Sequence, residues 1–253
     1  MKFIDTHAHL EDIERLDEAL VRAEDAGVTA VVTMGADNKS NNWVLNEGIK
    51  HGRHGLKIYS ALGIHPGWID VSRVDADMQF IEDNVSKVVA VGEIGLDYWY
   101  TAVRKDEEKK VLQRATFRRL LEIAEKHGKP VSIHSRGAWA DCVNITVDSG
   151  VKKAVFHWFT GSSDDLKRLL DHGYYVSATP AAAYSKEHRA TIENAPLERI
   201  LLETDSPVSY KGEPADPSHV LKALAAVAEL KKEKQEKVAE VTTENAETVF
   251  GIG

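Results

Sequence analysis

The chain has 253 residues, 43% hydrophobic and 28% charged, with only 7 Pro and 17 Gly, which excludes fibrous and disordered classes and suits one large globular core. Its formal charge of −8 argues against gripping nucleic acid through a broad basic face, yet leaves phosphate chemistry open, because bound divalent cations reverse the local potential. Cys142 is the only cysteine, so an intrachain disulfide and a cysteine-based zinc site are excluded; with no stretch of signal-peptide length before Asp5 and His7, and no run of about 18 apolar residues, the expectation is a cytoplasmic protein without a membrane span.

In chain order, eight β-type runs are predicted at 2–6, 28–33, 57–62, 87–92, 130–134, 153–157, 174–177 and 199–203. Segments with helical spacing lie between them. Leu16, Ala19, Leu20 and Ala23 share one helix face, as do Phe117, Leu120, Leu121 and Ala124, and Leu166, Leu169 and Leu170 follow a start signal at Ser162-Ser163-Asp164-Asp165. Helix exits are marked by Ala26-Gly27, His127-Gly128 and His172-Gly173, where a left-handed residue is wanted, so His127 and His172 read as structural. His51 and His54 fall in a polar loop and are expected to be solvated. The tail 217–253 reads as helical, with Val220, Leu224, Val227 and Ala228 on one face and a solvated, charge-dense piece at 231–237.

Strands alternating with helices over one domain length predict a single (β/α)8 TIM barrel covering residues 1–253. An open doubly wound sheet is the rival. Only the closed ring brings the ends of the first, fourth, fifth, sixth and eighth strands to a common point, and those ends carry His7 and His9, Glu93, His134, His157 and Asp205.

In Asp5-Thr6-His7-Ala8-His9 the period of two in a strand would point Asp5, His7 and His9 the same way. Four imidazoles and two carboxylates exceed the needs of one tetrahedral ion. A centre of two divalent cations follows, with ions about 3.5–4 Å apart that one carboxylate can bridge. Glu93 is the best bridge, because Val91-Gly92-Glu93-Ile94-Gly95 has glycine where backbones must approach. His7, His9 and Asp205 would complete one ion, His134 and His157 the other. Zn2+ suits so many imidazoles, whereas Mg2+ or Mn2+ would prefer more oxygen.

These residues resemble the TatD family of metal-dependent hydrolases and deoxyribonucleases. The matching segments are Asp5-Thr6-His7-Ala8-His9, Gly63-Ile64-His65-Pro66, 91–98, Ile133-His134-Ser135-Arg136, 157–161 and Glu203-Thr204-Asp205-Ser206-Pro207, in family order across nearly the whole chain. The resemblance implies metal ligands at His7, His9, Glu93, His134, His157 and Asp205, a general base at Asp205, and His65 and Arg136 beside the substrate's phosphate. The chain departs from the family's pattern at Leu120, where Gln is frequent, and at Lys211-Gly212-Glu213-Pro214. The expected reaction is phosphodiester hydrolysis on single-stranded DNA ends, with Trp68, Trp99, Tyr100, Trp158 and Tyr184 available to stack on bases. Two alternatives share the metals: an amidohydrolase-like enzyme acting on a small amide, ester or lactone, and a metal-stabilised scaffold.

Overall fold

A computed structural model describes residues 1–52 and 55–253, so His54 lies outside the described residues. Each predicted run is a strand: β1 Phe3–Ala8, β2 Val28–Met34, β3 Lys57–Leu62, β4 Ala90–Gly95, β5 Val131–His134, β6 Ala154–Phe156, β7 Tyr175–Ala178 and β8 Ile200–Leu202. They run parallel and hydrogen-bond in chain order. The ring closes at the β8–β1 seam: Ala8 bridges Ser206, and the N–H of Asp205 donates to the His7 carbonyl at 2.9 Å and that of His9 to the Ser206 carbonyl at 2.7 Å.

Helices α1 Leu16–Ala26, α2 Asn38–Asn46, α3 Val74–Asn84, α4 Thr101–Arg104, α5 Glu107–Lys126, α6 Trp139–Ser149, α7 Ser163–Asp171, α8 Lys186–Asn194, α9 Val220–Lys231 and α10 Gln235–Phe250 accompany the strands. One apolar cluster joins strands to helices, as where Phe3 and Val28 meet Leu20 and Ala23 of α1. A second takes Ile4, Val32, Ala61, Ala90, Val155, Tyr175 and Leu201 from seven strands and meets Phe250. Only the interior of a ring can touch so many strands. Both strand faces are therefore dry, which is why the runs read as nearly continuous apolar stretches.

The predicted boundaries shift where local geometry overrides pattern. Val85–Lys87 forms a helical turn after α3, so β4 begins three residues later than the run 87–92 suggests and Glu93 lies inside the strand. His51 is not simply solvated: its ring stacks on Trp43 at 5.9 Å and its Nδ1 lies 3.2 Å from Asp17 Oδ1. Lys211-Gly212 turns a small hairpin, β9 Ser209–Tyr210 with β10 Glu213–Pro214. Helix ends follow the sequence signals. Ser162 Oγ accepts from the Asp165 N–H at 3.1 Å, and His172 Nδ1 meets the Arg168 carbonyl at 2.8 Å.

Candidate metal centre

The strand ends converge on Glu93, which is almost wholly buried. Glu93 Oε2 lies 3.6 Å from His7 Nε2 and 3.3 Å from His9 Nε2. Oε1 lies 2.8 Å from His134 Nδ1 and 2.9 Å from His157 Nε2, and those two nitrogens are 3.2 Å apart. Asp205 Oδ1 stands 3.6 Å from both His7 Nε2 and His9 Nε2. All six predicted ligands thus meet at one place. Asp5 does not join them, because the β1–β2 register slips between Asp5 and Ala8 and breaks the alternation; its carboxylate instead accepts from the Thr204 N–H at 2.9 Å and Oγ1 at 2.6 Å, locking the seam.

Glycine is required on both sides of Glu93. A Cβ on Gly92 would come within 2.8 Å of Ser132 Cβ, and Gly95, at φ +139°, would place one 2.0 Å from the His134 carbonyl oxygen. Asp205 (φ 51°) and Trp158 (φ 43°) hold left-handed backbone without being glycine, a conformation costing about 1–3 kcal/mol that persists only where surroundings enforce it. Asp205 is held by the His7 carbonyl, and Trp158 by N–H donation to Glu203 Oε1 at 2.9 Å and Ser177 Oγ at 3.1 Å.

A metal fits these donors. Tetrahedral bonds of about 2.0–2.1 Å put ligand atoms roughly 3.3 Å apart; the atoms around Glu93 Oε2 and Asp205 have that spacing, 3.3–3.6 Å, and those around Oε1 lie closer, at 2.8–3.2 Å. His7 Nε2 is buried and has no hydrogen-bond partner, an arrangement that costs about 1–3 kcal/mol unless something outside the protein satisfies it. The rings are also aimed from behind. His134 Nε2 bonds Asp97 Oδ2 at 2.9 Å and His7 Nδ1 bonds Ser132 Oγ at 3.1 Å, whereas His157 Nδ1 faces Glu203 Oε1 at 3.5 Å without a hydrogen bond. Such partners fix the tautomer and orientation of metal-binding histidines.

Charge at the centre is balanced by proximity. Burial opposes the charged form of Glu93, but the surrounding imidazoles outweigh it and hold the carboxyl well below its ordinary range. Burial likewise disfavours protonated His9, yet the hydrogen bond and charge of Glu93, with Asp205 and Glu11, push it up to about 9. Asp205 is raised by burial, with Glu93 adding and the imidazoles opposing. Like-charged groups this close make a divalent cation the natural neutraliser.

His65 is a neighbour of the same carboxylate, with Nε2 3.7 Å from Glu93 Oε1. Its Nδ1 accepts the Gly67 N–H at 3.0 Å, so the neutral ring carries its proton on Nε2, facing the centre. Burial lowers this imidazole to about 3, which keeps it neutral. Arg136 lies on the cavity rim, exposed. The cavity is about 960 Å³ and is walled by Trp68, Tyr100 and Trp158, with Trp43 and Trp139 in addition; Trp99 and Tyr184 stand outside it.

The residues match the family described as TatD related DNase over 4–251. The chain belongs to that family. Among relatives, the uncharacterized metal-dependent hydrolase YabD of Bacillus subtilis is 30% identical over 98% of each chain. The human deoxyribonuclease TATDN3 is 28% identical over 98% of this chain and 94% of its own. The crystal structure of YjjV, a TatD homolog from Escherichia coli, superposes with a TM-score of 0.86 at 28% identity, covering 99% of this chain and 98% of that one. This TatD-family chain is accordingly a metal-dependent hydrolase on a TIM barrel, and no described helix is long and apolar enough to cross a membrane.

Three positioning residues escaped the sequence reading. Asp97 and Glu203 lie in motifs that were singled out, but their roles emerge only from ring orientation. Gln113 of α5 is buried, accepts the Asp97 N–H at 3.0 Å and donates to the Pro66 carbonyl at 3.1 Å, joining the loops after β3 and β4. Leu120, where the family often has Gln, is simply core.

Proposed function

We propose that this enzyme hydrolyses phosphodiester bonds at single-stranded DNA ends, using two divalent cations that share Glu93. The observation that carries the reading is the division of the Glu93 oxygens, Oε2 toward His7 and His9 and Oε1 toward His134 and His157. In this reading His7, His9 and Asp205 hold one ion and His134 and His157 the other. When bound, such ions supply Lewis-acid charge to phosphoryl oxygens and make water more acidic. The donor set suits Zn2+, with Mn2+ and Mg2+ as the oxygen-preferring alternatives.

The chain's own groups then have separate tasks. Asp205 lines the cavity beside the histidines, where its carboxylate is placed to accept the proton of the attacking water. His65, neutral with Nε2–H inward, donates to a phosphoryl oxygen rather than ligating, because its Nδ1 lone pair is taken by Gly67. Arg136 adds a charge-assisted hydrogen bond from the rim. The deoxyribonuclease description of the family and of TATDN3 supports DNA as the substrate, and a cavity of about 960 Å³ accommodates a few unpaired nucleotides but not a duplex. The whole chain, 1–253, acts as one catalytic domain in the cytoplasm, where its single buried thiol, Cys142, stays reduced.

Labelled single- and double-stranded oligonucleotides, with Mg2+, Mn2+ or Zn2+ added, test this directly. The expected result is release of mononucleotides from single strands, abolished in Glu93→Ala and Asp205→Asn. Turnover of an amide or lactone panel with no release from DNA would replace the reading.

A further inference from the structure

Just outside the cavity stands an aromatic ring for which the metal centre has no use. Trp99 is 54% exposed, and two guanidinium groups lie close to it: Arg104 Cζ and Arg136 Cζ are each 5.7 Å from its ring centroid. Among the described residues, neither arginine has a carboxylate within ion-pair distance. Elsewhere on this acidic surface Arg22 is paired with Asp216, Arg114 with Glu107 and Arg119 with Asp75.

The group is tied to the centre. The N–H groups of Trp99 and Tyr100 both donate to Asp97 Oδ1, at 2.7 and 3.1 Å, and the other oxygen of Asp97 takes His134 Nε2 at 2.9 Å. The Tyr98 N–H donates to the Arg136 carbonyl at 3.0 Å, joining the loops after β4 and β5. Tyr100 and Arg136 line the cavity, and Arg136 also reaches Trp99, so the ring stands next to the cavity rim.

We propose that Trp99, with Arg104 and Arg136, is a platform on which a single DNA strand leaving the cavity stacks a base and rests its phosphates; this deepens the DNA reading above and rests on it. The chemistry selects the occupant. A flat exposed ring receives any base by its π-face, and two unpaired guanidinium groups beside it match a chain carrying one negative charge per nucleotide. An apolar protein surface docked there would bury both cations without partners, which is costly. Because Trp99 lies beyond the cavity, only substrates longer than the cavity holds reach it.

Anisotropy of labelled thymidylate strands, one of two and one of about twelve nucleotides, bound to the metal-loaded Asp205→Asn protein, measures this without turnover. Trp99→Ala is expected to weaken binding of the long strand about tenfold, the worth of one stacked base, and to leave the dinucleotide unchanged. Trp99→Phe restores the affinity. Arg104→Ala flattens the dependence of log Kd on log salt by about 0.7, one phosphate contact on a single strand. Equal weakening of both strands by Trp99→Ala, or no weakening of either, overturns the platform. If the long strand binds and Trp99→Ala has no effect while the unaltered enzyme still cleaves DNA, the nuclease reading survives and the platform alone falls. If neither strand binds, both fall. Trp99 and Arg104 are exposed, and an unchanged melting temperature in each variant shows that the fold is intact.

Discussion

The two halves of the metal centre are held by different means. On the β8–β1 side, the backbone does most of the positioning: Asp205 and His9 are fixed by N–H bonds across the seam, to the carbonyls of His7 and Ser206, and Asp5 clamps Thr204 beneath them. On the β5–β6 side, carboxylates stand behind the rings: Asp97 hydrogen-bonds His134, and Glu203 faces His157 at 3.5 Å. A backbone-held half depends on barrel closure, and a carboxylate-held half depends on individual side chains. Glu93 alone belongs to both.

The variant that breaks both halves together should therefore have the largest effect. Glu93→Ala is expected to lower phosphodiesterase activity by at least about a thousandfold, beyond the loss of a single hydrogen-bond donor, and to lower metal content on both sides, as read by elemental analysis of dialysed protein. Next come the carboxylates of one half. Asp97→Asn and Glu203→Gln should each weaken metal affinity about 10- to 100-fold, with one ion lost in titrations and the other kept. A simultaneous loss of both ions would show the halves are not independent.

Smaller effects separate seam from side chain. Thr204→Val removes one donor from buried Asp5 and should cost about 1–3 kcal/mol of stability in denaturant unfolding, with affinity on the β5–β6 side retained. His188 gives a pH signature on the β6–β7 side. It accepts the Thr179 N–H at Nε2 (3.1 Å), its Nδ1 meets the Phe159 carbonyl at 3.2 Å, and burial lowers it to about 4. The unfolded chain takes up this proton first, near pH 6.5, so the contribution is complete above that pH and is lost as pH falls from 6.5 through 4. Acid unfolding curves should lose that slope in His188→Gln.

The same contrast explains what could be read before folding. The β8–β1 half was legible, since His7, His9 and Asp205 sit in two short motifs at strand ends, and a barrel must bring its first and last strands together. Glu93 was legible from its flanking glycines, although the shift of β4 placed it inside the strand. Asp97 and Glu203 were not, because a carboxylate's role behind an imidazole depends on which ring nitrogen faces the centre, and spacing does not encode that. Asp5 was misplaced with the histidines because the register slip after it, in the pairing of β1 with β2, is a tertiary effect that strand periodicity does not encode. Gln113 was invisible for the reason that its partners, Pro66 and Asp97, lie 47 and 16 residues away.

Anomalous scattering from crystals of the Mn2+-loaded protein tests most directly the proposal that Glu93 joins two ions. Two peaks about 3.5–4 Å apart, one beside His7 and His9 and the other beside His134 and His157, with Glu93 between them, are the predicted result. A single peak, or two peaks that do not share Glu93, would contradict it.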